Sequence, residues 1–367
     1  MEPASPLRFG WTTGSCATAA AKSAFSALLT GAFPDPVEIT LPRGQTVAFA
    51  LAETRLGPGT AMAAIVKDAG DDPDVTHGAL IRVTVQRAPP GHGIAFRAGE
   101  GVGTVTRAGL PIPPGEPAIN PMPRRMIADA IGEVAGRFDT HPDCIVEVAI
   151  PGGAAIALQT LNGRLGIVGG LSILGTTGIV VPFSCAAWIH SIHRGIDVAR
   201  AGGLDHIAGS TGRTSELAVQ RLHKLDEMAL IEMGDFVGGF LKYLKSHPVR
   251  RVAIAGGFAK MAKLADGRLD LHSKRGEVDL GALARLASAH GAGDSLAAEI
   301  GAGNSALEAV MASLRAGFPL AALVAGAARD VAARALPDGV EIETLVFARD
   351  GALLARSGFA PAHRPPR

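Results

Sequence analysis
The chain has 367 residues, 47% of them apolar, enough for two or three well-filled cores. A formal net charge of +1, one tyrosine and two tryptophans supply neither a basic field nor stacking platforms, so no nucleic-acid partner is expected. Three cysteines, Cys16, Cys144 and Cys185, lie far apart with no C-x-x-C pair, which excludes a disulfide framework and a zinc knuckle and suits a reducing cytoplasm.

The N-terminal MEPASPLRFG lacks the apolar centre of a signal peptide. Thr12-Thr13-Gly14-Ser15 then offers capping oxygens ahead of an alanine-rich segment, predicting a helix over Cys16 to Leu29 that closes at Gly31. Ala17, Ala20, Ala21 and Ala24 recur at helical spacing and suit close packing rather than a ligand. Strand-like runs follow at Val37 to Leu41, Thr46 to Leu51, Ala61 to Val66 and Leu80 to Val85, a pattern that predicts a mixed sheet.

Between the last two runs, Lys67 to His77 carries Asp68, Asp71, Asp72 and Asp74. Such residues make ordinary turns. Clustered carboxylates also repel one another, which would raise at least one pKa and leave a group able to move a proton near neutrality. The spacing does not fit a calcium loop. Gly99 to Leu110 departs from G-x-G-x-x-G because Thr104 takes the last glycine position, a poor dinucleotide fingerprint. Past the prolines at 117, 121 and 123, Ile127, Ile131, Val134 and Phe138 mark the buried stripe of a helix. Arg124 and Arg125 fall near its N-terminus, where a bound anion is favoured and a cation is not; a solvated arginine pair is the equal alternative.

From Arg164 to Ser184 the chain is uncharged after the arginine and holds five glycines between Gly166 and Gly178. Glycines and Pro182 argue against a membrane helix and for strand, tight loop and helix start. Gly170 to Thr177 has P-loop glycine spacing, but Thr176 stands where the phosphate-binding lysine belongs, which argues against nucleotide hydrolysis. The second half alternates strand and helix. Phe183 to Ala201 is expected as a helix with His190, His193, Arg194 and Asp197 on a solvated face. Asp205 to Ala208 reads as a strand before the turn Gly209 to Glu216. Met233 starts another helix, Arg250 to Ala255 forms a strand, and Lys260 is placed to meet a carboxylate. Helices are expected at Leu280 to His290, Ser305 to Ala316 with Asn304 as cap, and Pro319 to Ala335; Glu341 to Phe347 ends the pattern as a strand, before a disordered tail, AHRPPR. The apolar run Ala316 to Ala328 is too short to span a bilayer, so no membrane partner is expected.

Six stretches in this order, TTGSCATAAAKSA, VKDAGDDPDVTHG, GEGVGTVTRAGL, PAINPMPRRMI, NGRLGIVGGLSILGTTGIV and STGRTSE, resemble the cobalt-precorrin-5B C1-methyltransferase family of cobalamin biosynthesis. The resemblance implies methyl transfer from S-adenosylmethionine to carbon 1 of a tetrapyrrole, with cobalt only as part of the substrate and no resident metal. It also implies an α/β, mixed α+β architecture of two domains, an N-terminal α+β mixed-sheet domain at 1–160 and a Rossmann-like domain at 161–367. A polycarboxylate macrocycle calls for cations and polar groups, and Lys67, Arg107, Asn120, Arg124, Arg125 and Arg164 lie inside the matching motifs. Asp68, Asp71, Asp72, Asp74 and His77 are the acid or base candidates. The methyl donor is assigned to two turns expected on one carboxyl sheet edge, Gly175-Thr176-Thr177-Gly178 and Ser210-Thr211-Gly212 with Glu216. Gly257 and Ala259 depart from the family pattern, as does Leu271 before His272.

Two other readings stand beside it. A nicotinamide-dependent reductase lacks G-x-G-x-x-G and an evident acidic residue about 20 positions later. A non-catalytic tetrapyrrole carrier would keep the arginines and bind no methyl donor. Self-association is left open.

Overall fold
The computed structural model describes residues 6–362. The first five residues of the N-terminal segment and all of the tail but Ala362 lie outside the described residues; Ala362 itself is buried. Two compact units divide the chain, Met1–Ser184 and Cys185–Arg367, so the whole of Arg164 to Ser184 belongs to the first. Each combines helices with a sheet.

In the first unit, β1 (Glu53–Gly57), β2 (Thr60–Val66), β3 (Leu80–Arg87), β4 (Ile94–Ala98) and β5 (Cys144–Ala149) form one sheet in the order β1-β2-β3-β5-β4. Neighbours are antiparallel except β4 and β5, which run parallel. Alternation along β3 turns Ile81, Val83 and Val85 inward. Against this face lies α1 (Thr13–Thr30), capped by the Thr12 hydroxyl, which accepts from the Ser15 amide, and closed by Gly31 at φ 80°. Its alanines at 17, 20, 21 and 24 are fully buried, and their small size lets sheet and α2 (Pro121–Arg137) both pack closely. Ile127, Ile131 and Val134 form the inner stripe of α2 as expected. Phe138 does not join it: the helix ends at Arg137, the chain turns at φ −108°, and the ring is 51% exposed.

In the second unit, β6 (His206–Ser210), β7 (Leu230–Glu232), β8 (Arg251–Gly257) and β9 (Glu341–Phe347) are parallel in the order β7-β6-β8-β9, with β10 (Leu353–Arg356) antiparallel on β9. Helices α3 (Cys185–Ala201), α4 (Arg213–His223), α5 (Val237–Ser246), α6 (Phe258–Ala265), α7 (Leu280–Ala289), α8 (Asp294–Ala302), α9 (Ala306–Arg315) and α10 (Leu320–Ala333) complete it. Ile207, Val252, Ile254, Ile342 and Val346 share one core with Phe240, Leu264 and Val324 from the helices.

Several expectations shift here. The helix foreseen from Met233 begins at Val237, because the Met233 and Gly234 amides first donate to the Ser210 carbonyl at 3.0 and 3.1 Å. Ser305, not Asn304, caps α9: its hydroxyl accepts from the Glu308 amide, while the Glu308 carboxylate accepts from the amide of Asn304, the residue before the cap. The polar face of α3 is solvated only at His190, which is exposed; further along it is packed, since His193 stacks on Tyr243 at 4.0 Å and Asp197 accepts from the Tyr243 hydroxyl at 2.7 Å. Lys260 does meet a carboxylate, that of Asp235. Among the described residues no helix is long and apolar enough to cross a membrane.

Candidate active site
Five of the six motif stretches converge in the first unit, starting at the N-terminus of α1. The Leu174 carbonyl accepts from the Gly14 amide at 2.8 Å and from the Thr13 hydroxyl at 3.1 Å, and the Gly178 carbonyl accepts from the Ser15 hydroxyl at 2.7 Å. Gly10–Trp11 pairs antiparallel with Ile179–Val180, which ties the loop from both sides. A Cβ on Gly14 would lie 2.9 Å from both the Leu174 carbonyl oxygen and Pro123 Cγ, so the N-termini of α1 and α2 meet at this loop. The first-turn amides there are committed within the fold, Gly14 to the Leu174 carbonyl and Ser15 to the Thr12 hydroxyl, and α2 opens with prolines at 121 and 123 that have none to offer.

The glycines of the loop serve packing. Gly175 and Gly178 both have positive φ, and the space their Cβ atoms would take is filled by Thr12 and by Ser15 with Leu41. Thr177 closes its own turn on Ile179, and Thr176 is exposed. These four donor candidates lie in the first unit and Ser210 to Glu216 in the second, so they do not share the carboxyl edge of one sheet as expected. The reason is the pairing of Ile167–Val168 with Thr104–Val105 and of Ile179–Val180 with Gly10–Trp11, which keeps this stretch out of the parallel sheet.

The aspartate turn abuts the same helix end. Trp11 donates its amide to the Asp68 carbonyl at 2.7 Å, and Asp71 accepts the Arg8 amide at 2.6 Å. Repulsion among these carboxylates was expected to raise a pKa; the surroundings do the reverse. The Arg8 guanidinium forks onto Asp68, the Gly70 amide adds a bond, and the pKa falls to about 2. Burial alone would push Asp74 up, but hydrogen bonds from Lys67 at 2.7 Å and from Thr76 outweigh it and hold it low. Lys67 is 1% exposed, its ammonium committed to Asp74, so it is an internal cation rather than one on the rim. Asp72 accepts from the Phe183 amide at 2.8 Å. His77 is exposed, and its Nδ1 accepts from the Ala69 amide at 3.1 Å, which places the ring proton on Nε2.

Beside this junction runs the second glycine stretch. Gly103 and Leu171 exchange backbone bonds with Leu171 and Gly101 at 2.8 Å, and Asn120, at the N-cap of α2, donates its amide to Ile173 at 3.1 Å. The two arginines of α2 part company. Arg124 turns back to the Ile119 and Pro117 carbonyls and Glu116 and sits over the Phe96 ring, whereas Arg125 is exposed with only a 3.7 Å approach to Asp129. Arg107 is exposed, its stem against Gly166, and Arg164 is partly buried.

In the second unit β6 connects towards β7 and β8 towards β9, in opposite directions across the sheet, the switch point at which doubly wound sheets bind ligands in a crevice outside the carboxyl ends. Thr211 and Gly212 follow β6, and the Thr211 side chain lies over Gly256, leaving no room for a Cβ there. Ser210 is wholly buried and its hydroxyl has no hydrogen-bond partner among the described residues, while Glu216 is buried in the first turn of α4. Glu232 ends β7 next door, partly buried and in no ion pair among the described residues. It stands 20 positions after Gly212, a position that the sequence reading did not single out because β7 has only three residues and no flanking glycine motif. Among the described residues no three histidine, cysteine or carboxylate side chains gather to hold a metal.

Comparison with known proteins matches the chain at both ends. The CbiD family model covers residues 1–182, and the model for the CbiD C-terminal domain covers 270–358. A Bradyrhizobium protein (strain BTAi1) described as cobalt-precorrin-5B C(1)-methyltransferase is 62% identical over 352 residues, 96% of this chain and 94% of its own. One of the same description from Agrobacterium fabrum is 59% identical over 360 residues, 98% and 95% of the two chains. A crystal structure of the cobalamin biosynthesis protein cbiD from Archaeoglobus fulgidus is 26% identical, with 73% of this chain and 83% of that one covered at a TM-score of 0.40. Identity this high over nearly the whole of both chains, with family models on both halves, makes this protein a member of the CbiD family.

Proposed function
We propose that this chain is a cobalt-precorrin-5B C1-methyltransferase that moves a methyl group from S-adenosylmethionine to carbon 1 of the macrocycle, giving cobalt-precorrin-6A. The observation that carries the reading is the 62% identity with a relative of that description across 96% of the chain. The convergence of five motif stretches on one junction supports placing the macrocycle in the first unit. There the exposed Arg107 and Arg125 suit its carboxylates, with Asn120 and Arg164 close in sequence to the same loops. Of the acid and base candidates, Asp68, Asp71, Asp72 and Asp74 are each engaged with Arg8, Phe183 or Lys67. His77 keeps Nε2 for exchange with a ligand and is the strongest of the five.

The methyl donor fits the second unit, whose four parallel strands run in the order β7-β6-β8-β9 with a switch of direction between β6 and β8, as in other doubly wound sheets. Thr211, Gly212, Glu216 and the orphaned Ser210 hydroxyl line or adjoin the crevice, and Glu232 offers a carboxylate to vicinal ribose hydroxyls. A bound sulfonium supplies the methyl group; the protein's part is to exclude water and align the two partners, worth up to about 7–11 kcal/mol. The reductase reading gains nothing from this, since the crevice shares no G-x-G-x-x-G.

The test is anaerobic incubation of the protein with cobalt-precorrin-5B and methyl-labelled S-adenosylmethionine, followed by mass spectrometry. One labelled methyl mapped to carbon 1 is expected. Binding of the macrocycle without transfer supports the carrier reading instead. In the same series Glu232→Gln weakens donor binding by about 10–100-fold in calorimetry, the usual loss for a hydrogen bond to a charged group, and leaves macrocycle binding as it was. Unchanged donor affinity would move the donor site elsewhere.

A further inference from the structure
Among the described residues three other than glycine have positive φ: Asp139, Phe183 and Lys224. Asp139 and Lys224 follow the ends of α2 and α4, where a left-handed residue is routine. Phe183, at φ 55°, precedes a helix instead, and a bulky aromatic side chain in this region is an outlier. Burial of the ring does not compensate, because Phe183 is 66% exposed. What holds it is Asp72, whose Oδ1 accepts from the Phe183 amide at 2.8 Å across 111 residues of chain.

The strain and the exposure fall inside the junction already described. Pairing of Gly10 with Val180 leads the two chains on to Phe9 and Val181, and both of these are exposed, as is Leu174. The segments on either side of this pairing thus bring four exposed apolar side chains, Phe9, Leu174, Val181 and Phe183, to the junction whose other stretches carry the exposed Arg107 and Arg125. A tetrapyrrole has that same division, apolar ring faces and a rim of carboxylates. A strained backbone that its own fold does not reward points to function.

We propose that Phe183 is a positioning residue whose ring packs against a face of the macrocycle, and that Asp72 holds Phe183 there as a hydrogen-bond acceptor rather than acting as an acid or base. This deepens, and rests on, the methyltransferase reading above.

The test measures KM, kcat, pH profile and Tm on the full chain. Phe183→Gly relieves the left-handed strain and removes the ring, so Tm rises by a few degrees while KM for the macrocycle rises about tenfold and kcat changes little. A merely structural aromatic would lower Tm. Phe183→Tyr keeps the ring and holds KM near the native value. Asp72→Ala raises macrocycle KM as Phe183→Gly does, and Asp72→Asn, which retains an acceptor oxygen, restores it without moving the pH profile. Unchanged macrocycle KM in Phe183→Gly overturns the inference, as does an Asp72→Asn variant that loses kcat and shifts the pH profile. A native chain that transfers no methyl group overturns the functional reading beneath it, a result told apart by the native control.

Discussion

Asp74→Ala is expected to destabilise the first unit by about 3–5 kcal/mol, because it strands the ammonium of a buried lysine. Lys67 is among the largest fully buried side chains of the described residues, and its Nζ has Asp74 at 2.7 Å as its ion-pair partner. For a unit of this size each kcal/mol is about 2–4 °C, so a Tm loss of roughly 10 °C should appear in calorimetry. The double variant Lys67→Met, Asp74→Ala removes both charges and should recover much of the loss, since an apolar chain of similar length fills the same space. The pH dependence has a definite sign. Asp74 is held below its ordinary 3.8, so the pair's contribution is full above that value and disappears as pH falls through the lowered one. The gap between native and Asp74→Ala proteins should therefore be widest near neutrality and narrow in acid. A gap that persists unchanged at low pH would mean that lost packing, not the charge, is responsible.

Gly101→Ala should do more damage still. Gly101 sits at φ 71°, which costs alanine about 1–2 kcal/mol by itself. A Cβ there would also lie 2.0 Å from the Ile150 carbonyl oxygen and 2.8 Å from the Gly153 amide, backbone atoms that cannot step aside. The Gly101 carbonyl meanwhile accepts from Leu171 at 2.8 Å and is met by Gly170, whose own Cβ would be 2.2 Å from it. Two glycine stretches thus fit backbone to backbone at this point, and the expected cost is about 4 kcal/mol or more, with loss of soluble protein and of methyl transfer. Gly115→Ala is the control. It too has positive φ, 93°, but open space around it, so it should cost only the conformational part and leave a folded protein. Equal losses for the two would show that the close approach at Gly101 is unimportant.

Much of this protein is written locally. The cap at Thr12, the glycine at position 31 and the alanine spacing determine α1, and two-residue alternation determines β3. Both are set by neighbours a few residues apart, which is why periodicity finds them. The cap at Ser305 is equally local and was misplaced by one residue because asparagine and serine compete for the same role. The family resemblance is legible for a different reason, since its motifs are long and ordered along the chain.

The site itself was decided by contacts that no local rule contains. Asp68 and Asp74 read as turn residues that could also move a proton, and Lys67 as a substrate cation, until Arg8 and burial assigned each a partner, 60 residues away for Asp68 and seven for Asp74. Arg124 and Arg125 are adjacent and alike in sequence, yet only the carbonyls of 117 and 119 and the ring of Phe96 make one internal and leave the other outside. The glycines at 175 and 178 suggested a ligand cradle and instead admit Thr12, Ser15 and Leu41. Sequence fixes which side chains can carry charge and which backbone can bend, because those are properties of single residues. Which charge is neutralised, and which gap is filled from within, depends on what the distant chain brings alongside, and that is settled only when the sheet and helices close.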